Sequence, residues 1–310
     1  MKLLLYVLVM LIFTPVLLLG LPFYMVPILL KRGVVSGTAY EPFSARVIYH
    51  LLGTRPDSAA LTLTGGLPAT NWVVMTLMYK PILLASKISG YVPSMLTYPP
   101  QRPIAMTAMM GARCEFFDAA LLEHAVPGDQ MVILGAGFDT RAYGILKDRE
   151  LKLFEVDAPA TQGVKRRSIE RTGLDASAIT FVSCDFSNQS WIEALKTEGF
   201  DTAQRTFVLW EGVTMYLDEE AIQSTLEAVA SLAPGSRLAC DFFSREWLHE
   251  TLKGKSISLT VKATYGESFV FGFPITPEFS NSLADYLKPH GLFLERALPM
   301  GDDAAPFGGI

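Results

Sequence analysis

The sequence predicts an α/β protein with a doubly wound, mostly parallel sheet, helices on both faces of that sheet, and a hydrophobic helix before it. Three observations predict this fold class. An uncharged apolar run occupies the N-terminus, short apolar runs alternate with helical stretches after Arg113, and four of those runs end at a glycine or an acid. Strand–helix alternation of this kind is typical of a parallel sheet covered by helices.

The N-terminal run from Leu3 to Leu30 is long enough to cross a bilayer, since roughly 20 apolar residues suffice. It has no charged residue, and Lys2 precedes it while Lys31 follows it. Three prolines inside it leave a kinked span, a re-entrant hairpin and a buried helix pair as open interpretations. We expect residues 1–32 to form a transmembrane or membrane-anchor segment, with the domain that follows on the cytoplasmic side.

A second apolar region runs from Trp72 to Leu96 and is interrupted by Lys80 and Lys87. These interruptions argue against a second span. They favour an interfacial helix or a hydrophobic cap over a pocket, and simple packing on the main domain is the alternative. We therefore expect residues 33–100 to form a helical cap or substrate region, and residues 101–310 to form the α/β domain.

The α/β domain is predicted to contain five strands and several helices. The predicted strands are Gln130–Leu134, Leu151–Val156, Ile179–Cys184, Thr206–Trp210 and Arg237–Phe243. The predicted helices are Pro159–Arg171, Gln189–Glu198 and Glu219–Leu232, the last with Asp218 as its N-cap.

The first four strands end at or beside Gly135, Asp157, Asp185 and Glu211. Parallel strands present their carboxyl ends along one edge, and open α/β sheets bind ligands along that edge. The sequence therefore predicts a ligand site there.

The stretch "LGAGFDT" ends the first predicted strand. Gly135 and Gly137 allow a sharp turn and a close approach of the backbone to a ligand, and Asp139 is expected to cap a following helix. Asp157 lies twenty residues after Gly137, where an acid can accept both hydroxyls of a ribose. A third glycine of the dinucleotide fingerprint is replaced by Thr140. These residues alone leave NAD and S-adenosylmethionine as open ligands.

Charge and cysteine content exclude several classes of function. The net charge of −5 argues against a nucleic-acid-binding protein, which normally carries a basic stripe. The three cysteines are far apart in apolar stretches, which fits neither a disulfide framework nor a metal site. We expect buried thiols and no metal.

Four ordered motifs resemble the leucine carboxyl methyltransferase family of S-adenosylmethionine-dependent methyltransferases. They are "LGAGFDTRAYGI", "FEVDAP" followed by Lys165, "CDF" and "WEGVTMYL". That family includes the enzyme that methylates the C-terminal carboxylate of protein phosphatase 2A and many bacterial O-methyltransferases of small molecules. The resemblance covers about residues 100–300, and it implies a Rossmann-like methyltransferase sheet and S-adenosyl-L-methionine as the cofactor.

The resemblance also implies a role for each matching residue. Arg113 would pair with the methionyl carboxylate of the cofactor, and Gly135, with Gly137 beside it, would lie beneath the methionine portion. Asp157 would bind the ribose. Asp185 and Phe186 would lie beside the adenine. Glu211 would lie near the amino group of the cofactor.

No catalytic base is evident, because none of the four histidines lies in a family motif. Tyr216 is the candidate. We expect an O-methyltransferase that acts on a carboxylate or hydroxyl of a lipophilic small molecule at the membrane. An NAD(P)-dependent oxidoreductase and a non-catalytic membrane protein that retains the fold are the alternatives.

Overall fold

Five parallel strands form the central sheet of the protein, seen in a computed structural model that describes residues 1–186, 189–249, 251–252, 255–302 and 305–310. The strands are β1 Gln130–Leu134, β2 Lys152–Asp157, β3 Ile179–Ser183, β4 Thr206–Trp210 and β5 Arg237–Cys240. Their order is β3-β2-β1-β4-β5. The chain adds β2 and β3 on one side of β1 and then β4 and β5 on the other side, so the order of strands reverses between β1 and β4. The predicted doubly wound parallel sheet is confirmed, and its switch point is where such sheets bind ligands.

Alternating residues of each strand enter two separate hydrophobic cores. In β1, Met131 and Ile133 join one core, whereas Val132 and Leu134 join the other. All five residues of β1 and of β4 are buried. A parallel strand that is covered on both faces needs a continuous apolar sequence. For this reason the sequence predicts both ends of these two strands correctly.

The helices surround this sheet and precede it. They are α1 Lys2–Leu30, α2 Tyr40–Leu51, α3 Ser58–Thr64, α4 Trp72–Val74, α5 Lys80–Ser89, α6 Met109–His124, α7 Pro159–Thr172, α8 Trp191–Thr197, α9 Glu219–Ala230, α10 Arg245–His249, α11 Ile257–Tyr265 and α12 Phe279–Leu287. A π-helical segment, Met75–Tyr79, joins α4 to α5. The predicted cap of α9 is present, since the Asp218 side chain accepts the N–H of Ala221 at 2.9 Å.

Two sequence predictions in the α/β domain are wrong. The glycine turn after β1 leads only to a short 3-10 turn, Arg141–Tyr143, and not to an α-helix capped by Asp139. The segment makes the hydrogen bonds of a 3-10 turn, from Tyr143 N–H to Thr140 O and from Gly144 N–H to Arg141 O, both at 3.1 Å. The Arg141 side chain is also held by buried ion pairs with Asp118 and Asp139. The fifth strand ends at Cys240 rather than Phe243, because its pairing with β4 ends at Trp210, and Phe242 and Phe243 pair with a different strand.

The residues beyond Asp241 belong to a second, smaller sheet. Strand β6, Phe242–Phe243, pairs with β10, Ala305–Gly309, and β10 pairs with β9, Pro299–Asp302, all antiparallel. Strands β9 and β10 therefore lie outside the five-stranded sheet. A two-stranded ribbon of β7 Thr251–Leu252 and β8 Lys255–Ser256 precedes α11.

Helix α1 is the one helix among the described residues that is long and apolar enough to cross a membrane. It packs antiparallel to the segment from α4 to α5. Lys2 lies beside Gly90, and Gly20 faces Leu77 and Met78. The second apolar region of the sequence therefore lies between α1 and the rest of the protein.

Candidate active site

A cavity of about 690 Å³ lies at the carboxyl ends of the central strands. The structure brings all eight predicted site residues into its wall. They are Arg113, Gly135, Gly137, Asp157, Asp185, Phe186, Glu211 and Tyr216. The tips of β1, β2, β3 and β4 therefore meet around one space, as the edge of a parallel sheet requires.

Asp157, at the tip of β2, is held by backbone groups on both carboxylate oxygens. Its Oδ2 accepts the N–H of Gly137, and its Oδ1 accepts the N–H of Ala158 at 2.6 Å. Burial raises the pKa of this carboxyl to about 6, although both N–H groups act in the opposite direction. The carboxylate is thus oriented before any ligand arrives, and lone pairs remain on each oxygen for further donors.

The two glycines after β1 both have positive φ, +65° at Gly135 and +45° at Gly137. A Cβ at Gly135 would lie 2.3 Å from Cγ2 of Val213, in the loop after β4. The absence of a side chain therefore lets the loops after β1 and β4 pack closely. Val213 itself lines the cavity, so this packing shapes the wall beside the expected methionine portion.

A buried ion network surrounds Glu211 at the tip of β4. Oε1 accepts from Arg113 Nη2 at 3.3 Å, while Oε2 accepts from Arg141 Nη1 at 2.5 Å and from Arg46 Nη2 at 3.3 Å. Burial raises the pKa of Glu211, but the three guanidinium groups outweigh burial and lower it. Glu211 is consequently an anion at neutral pH, and any ligand ammonium near it would share it with these cations.

Arg113 keeps donors available for the cavity. Its Nε lies 3.1 Å from Asp241 Oδ2, but without the alignment of a hydrogen bond. Its Nη1 donates to the Met110 sulfur at 4.0 Å, and a thioether sulfur is a weak acceptor. Gly212, at φ +70°, has no side chain where the guanidinium lies, since a Cβ there would be 2.4 Å from Nη2. This arrangement suits a carboxylate ligand.

Asp185 and Phe186 form the rim at the tip of β3. The Asp185 side chain is exposed, and its backbone N–H donates to Gln189 Oε1 at 3.1 Å. Phe186 is half-buried and belongs to the core on one side of the sheet. The rim therefore offers one acceptor and one aromatic face.

Tyr216 is hydrogen-bonded to residues from distant parts of the chain. Its hydroxyl lies 2.6 Å from the Thr38 hydroxyl, which donates to Glu267 Oε2 at 2.6 Å. Glu267 Oε1 also accepts the N–H of Gly37 at 2.6 Å. Burial, and then the charge of Glu267, raise the pKa of Tyr216, so this phenol remains protonated at neutral pH.

Sequence reasoning missed Arg46, Thr38 and Glu267, all of which line the cavity. Arg46 lies in "YEPFSARVIYHL", the sequence of α2. Its guanidinium bridges Asp139 at 2.9 Å and Glu211 at 3.3 Å. An arginine followed by aliphatic residues in a helix gave no sign of this role.

Two acids near the site have other partners. Asp139 Oδ1 accepts the N–H of Arg141 at 2.7 Å, and Arg141 and Arg46 lower its pKa against the opposing effect of burial. Glu155 lies outside the cavity wall and pairs with Lys165 Nζ at 2.6 Å. Burial raises the pKa of Glu155 to about 7 despite that partner.

Comparison with known proteins gives matches over the part of the chain that contains the four motifs. Residues 93–230 match the sequence profile described as "Leucine carboxyl methyltransferase". A Mycolicibacterium paratuberculosis protein named "Putative S-adenosyl-L-methionine-dependent methyltransferase" is 37% identical over 139 residues, which are 44% of this chain and 44% of that protein. A Mycolicibacterium smegmatis protein with a similar name is 31% identical over 188 residues, 60% of this chain and 62% of that one. The matches thus span about half the length of these relatives.

Among solved structures, this chain aligns with a Thermobifida fusca protein that is described as a "putative methyltransferase". The TM-score is 0.45 at 16% sequence identity, and the match covers 78% of this chain and 79% of that one.

Proposed function

Because residues 93–230 match the sequence profile of leucine carboxyl methyltransferases, we propose that the protein is an S-adenosyl-L-methionine-dependent O-methyltransferase. The observation that carries the proposal is the single cavity lined by all the residues that match the family's cofactor-binding positions. When bound, the cofactor supplies an electrophilic methyl group on a sulfonium. The protein's task is then to bind the cofactor and to align an acceptor oxygen with that methyl group.

The donor side of the cavity fits such a cofactor. Asp157 is oriented by backbone N–H groups to accept ribose hydroxyls, and the exposed Asp185 beside Phe186 suits an adenine amine and ring. Arg113 has donors for a carboxylate, and Glu211 supplies negative charge nearby. The methionyl end of the cofactor is a zwitterion, so a wall that carries both signs matches it.

The acceptor is proposed to be lipophilic and to react through oxygen. The rest of the cavity wall includes Met106, Met109, Phe243, Phe269 and Val270, which favour an apolar molecule. A carboxylate acceptor would need no base, because it is already ionised at neutral pH.

A hydroxyl acceptor would use the hydrogen-bond chain at Tyr216. Its proton would pass to the Tyr216 oxygen, the Tyr216 proton to Thr38, and the Thr38 proton to the Glu267 carboxylate. Tyr216 and Thr38 would each give up one proton as they receive one, and Glu267 would keep the proton, so Tyr216 need never ionise. This route is compatible with its raised pKa.

We also propose that the reaction takes place at a membrane, with the catalytic domain on the cytoplasmic side. Support for the membrane location comes from α1, whose exposed apolar surface is unusual for a soluble protein. A lipophilic acceptor dissolved in the bilayer would be concentrated next to the enzyme.

Methyl transfer from isotopically labelled S-adenosylmethionine tests the proposal. The detergent-solubilised protein should label long-chain carboxylic acids or alkylphenols, and should leave the matching alkylamines unlabelled. Asp157→Ala serves as the control for non-enzymatic transfer. Labelling confined to amines, or to water-soluble peptides, would show that the proposed acceptor class is wrong.

A further inference from the structure

One face of α1 is packed against the protein along its whole length. Near the start of α1, the rings of Tyr6 and Tyr91 lie 5.4 Å apart. At Gly20 the helices approach so closely that a Cβ would be 2.7 Å from Met78 Cγ. Near its end, Ile28 is buried in the core that contains α2. Both ends of this helix are therefore beside the domain.

The helix beneath α1 is itself fixed to the domain at each end. Before α5, the Tyr79 hydroxyl donates to Ser44 Oγ of α2 at 2.6 Å. Beyond α5, Leu96 is buried in the same core as α2. Helix α5 thus runs along the surface of the domain, and α1 lies along α5.

The opposite face of α1 is apolar and exposed. Fourteen of its large hydrophobic side chains are exposed, from Leu3 to Leu30. The helix is about 43 Å long at 1.5 Å per residue. A continuous apolar surface of this size marks an interaction site for a membrane or another protein.

We propose that α1 does not cross the membrane but lies flat on it, with its outer face inserted into a leaflet that contains anionic lipids. To span a bilayer in this conformation, α1 would have to carry α5 with it, including the exposed Lys80 and Lys87. Those side chains are costly in hydrocarbon. An in-plane position satisfies both faces of α1, one by the protein and one by acyl chains.

A basic cluster at the end of α1 supports a membrane occupant rather than a second copy of the chain. Lys31, Arg167 and Arg171 surround a cavity of about 230 Å³ that Pro27 and Ile28 help to line. In the part of the chain that the structure describes, none of these three cations pairs with a carboxylate. Cations at the edge of an apolar surface are what anionic headgroups attract.

The position of this surface connects it to the active site. Val35, just beyond α1, lines both the small cavity and the large one. The same segment is held by α11, since Gly33 N–H donates to Tyr265 O at 3.1 Å. A leaflet that held α1 would therefore lie next to the wall of the large cavity.

Depth measurements on vesicles test the orientation. Single cysteines replace Leu4, Leu11, Leu18 and Leu29, which lie on the outer face, and each carries an environment-sensitive fluorophore. The full-length protein is added to phosphatidylcholine vesicles with and without phosphatidylglycerol, and lipids brominated at two depths act as quenchers. Lys196→Cys on the exposed side of α8 is the water-facing control, and the unsubstituted chain measures background labelling of the native cysteines.

An in-plane helix predicts the same shallow depth at all four positions and no quenching at Lys196→Cys. A depth that is greatest at Leu18 and small at both ends would establish a span and overturn the proposal. Absence of quenching with both kinds of vesicle would also overturn it, and a dimer in solution would then identify a second copy as the occupant.

The triple variant Lys31→Gln, Arg167→Gln, Arg171→Gln tests the headgroup contact. Its affinity for phosphatidylglycerol vesicles should fall at least tenfold, whereas Lys196→Gln should change it less than twofold. Equal affinity of the triple variant and the unsubstituted protein would contradict the headgroup contact. Binding of S-adenosylhomocysteine is measured on the same samples, so failure of this proposal and failure of the proposed function can be told apart.

Discussion

The two sides of the large cavity are built in different ways. The strand-tip side consists of Gly135, Asp157, Asp185 and Glu211, which come from successive strand ends within the family match. The cap side consists of Thr38, Arg46 and Glu267, which lie outside that match. The strand-tip side carries the features expected for a shared cofactor, whereas the cap side is contributed by segments before and after the matched residues.

This difference indicates which residues determine the specificity for the methyl acceptor. A cofactor that is common to a family requires the same groups at the same strand ends, so those groups recur in recognisable motifs. An acceptor that differs between members is contacted by segments that are free to differ. We therefore expect substitutions on the strand-tip side to change cofactor affinity, and substitutions of Thr38 on the cap side to leave it nearly unchanged. Arg46 stands outside this contrast, because its guanidinium contacts Glu211 of the strand-tip side.

The largest effect is expected from Arg141→Met, beneath the strand-tip side. Arg141 is fully buried and contacts Asp118, Asp139 and Glu211. Removing it leaves buried carboxylates without their main partner, which costs about 3–5 kcal/mol of unfolding free energy. Chemical denaturation measures the loss. Arg102→Met is the control, because the exposed pair with Glu115 contributes about 1 kcal/mol or less. Similar losses in both variants would refute the structural role of the network.

The second effect concerns pH. Asp157 has a pKa of about 6, raised by burial, and ribose hydroxyls favour its ionised form. Below that pH, the Asp157 carboxyl must lose its proton before the cofactor can bind. The affinity for S-adenosylhomocysteine should be constant above pH 7 and about tenfold lower at pH 5. Asp157→Asn should bind weakly at both pH values and lose this dependence. A dependence retained in Asp157→Asn would assign the titration to another group.

Thr38→Val on the cap side should have a smaller effect, and on a different quantity. The substitution removes the hydroxyl between Tyr216 and Glu267, which costs about 1 kcal/mol of unfolding free energy. Affinity for S-adenosylhomocysteine should change less than twofold. A loss of affinity as large as that of a strand-tip variant would break the division between the two sides.

The smallest effect is expected from Asp185→Asn at the exposed rim. Water screens this position, so an acceptor there is worth about 0.5 kcal/mol, or roughly a twofold change in cofactor affinity. Competition between S-adenosylhomocysteine and adenosine analogues that lack the exocyclic amine would measure it. The affinity of the analogue should differ less between the unsubstituted protein and Asp185→Asn than the affinity of S-adenosylhomocysteine does.

The sequence predicted most of the sheet because its physics is local. Strands Gln130–Leu134 and Thr206–Trp210 were predicted with the bounds that the structure has, since buried parallel strands are continuous apolar runs. The short 3-10 turn after β1 was not predicted, because its Arg141 pairs with Asp118, a residue that lies elsewhere in the chain. Arg46 and Glu267 escaped prediction for a related reason. Their contacts join residues 165 and 229 positions apart, and no local pattern encodes such contacts.

The central claim is that the strand-tip side binds S-adenosyl-L-methionine. Calorimetric titration of the detergent-solubilised protein with S-adenosylhomocysteine, beside Asp157→Ala and Arg113→Ala, tests it most directly, and NADH is titrated in parallel. We expect binding by the unsubstituted protein, at least tenfold weaker binding by each variant, which corresponds to about 1.4 kcal/mol, and none of NADH. A folded protein that binds NADH, or that binds neither ligand, would contradict the account.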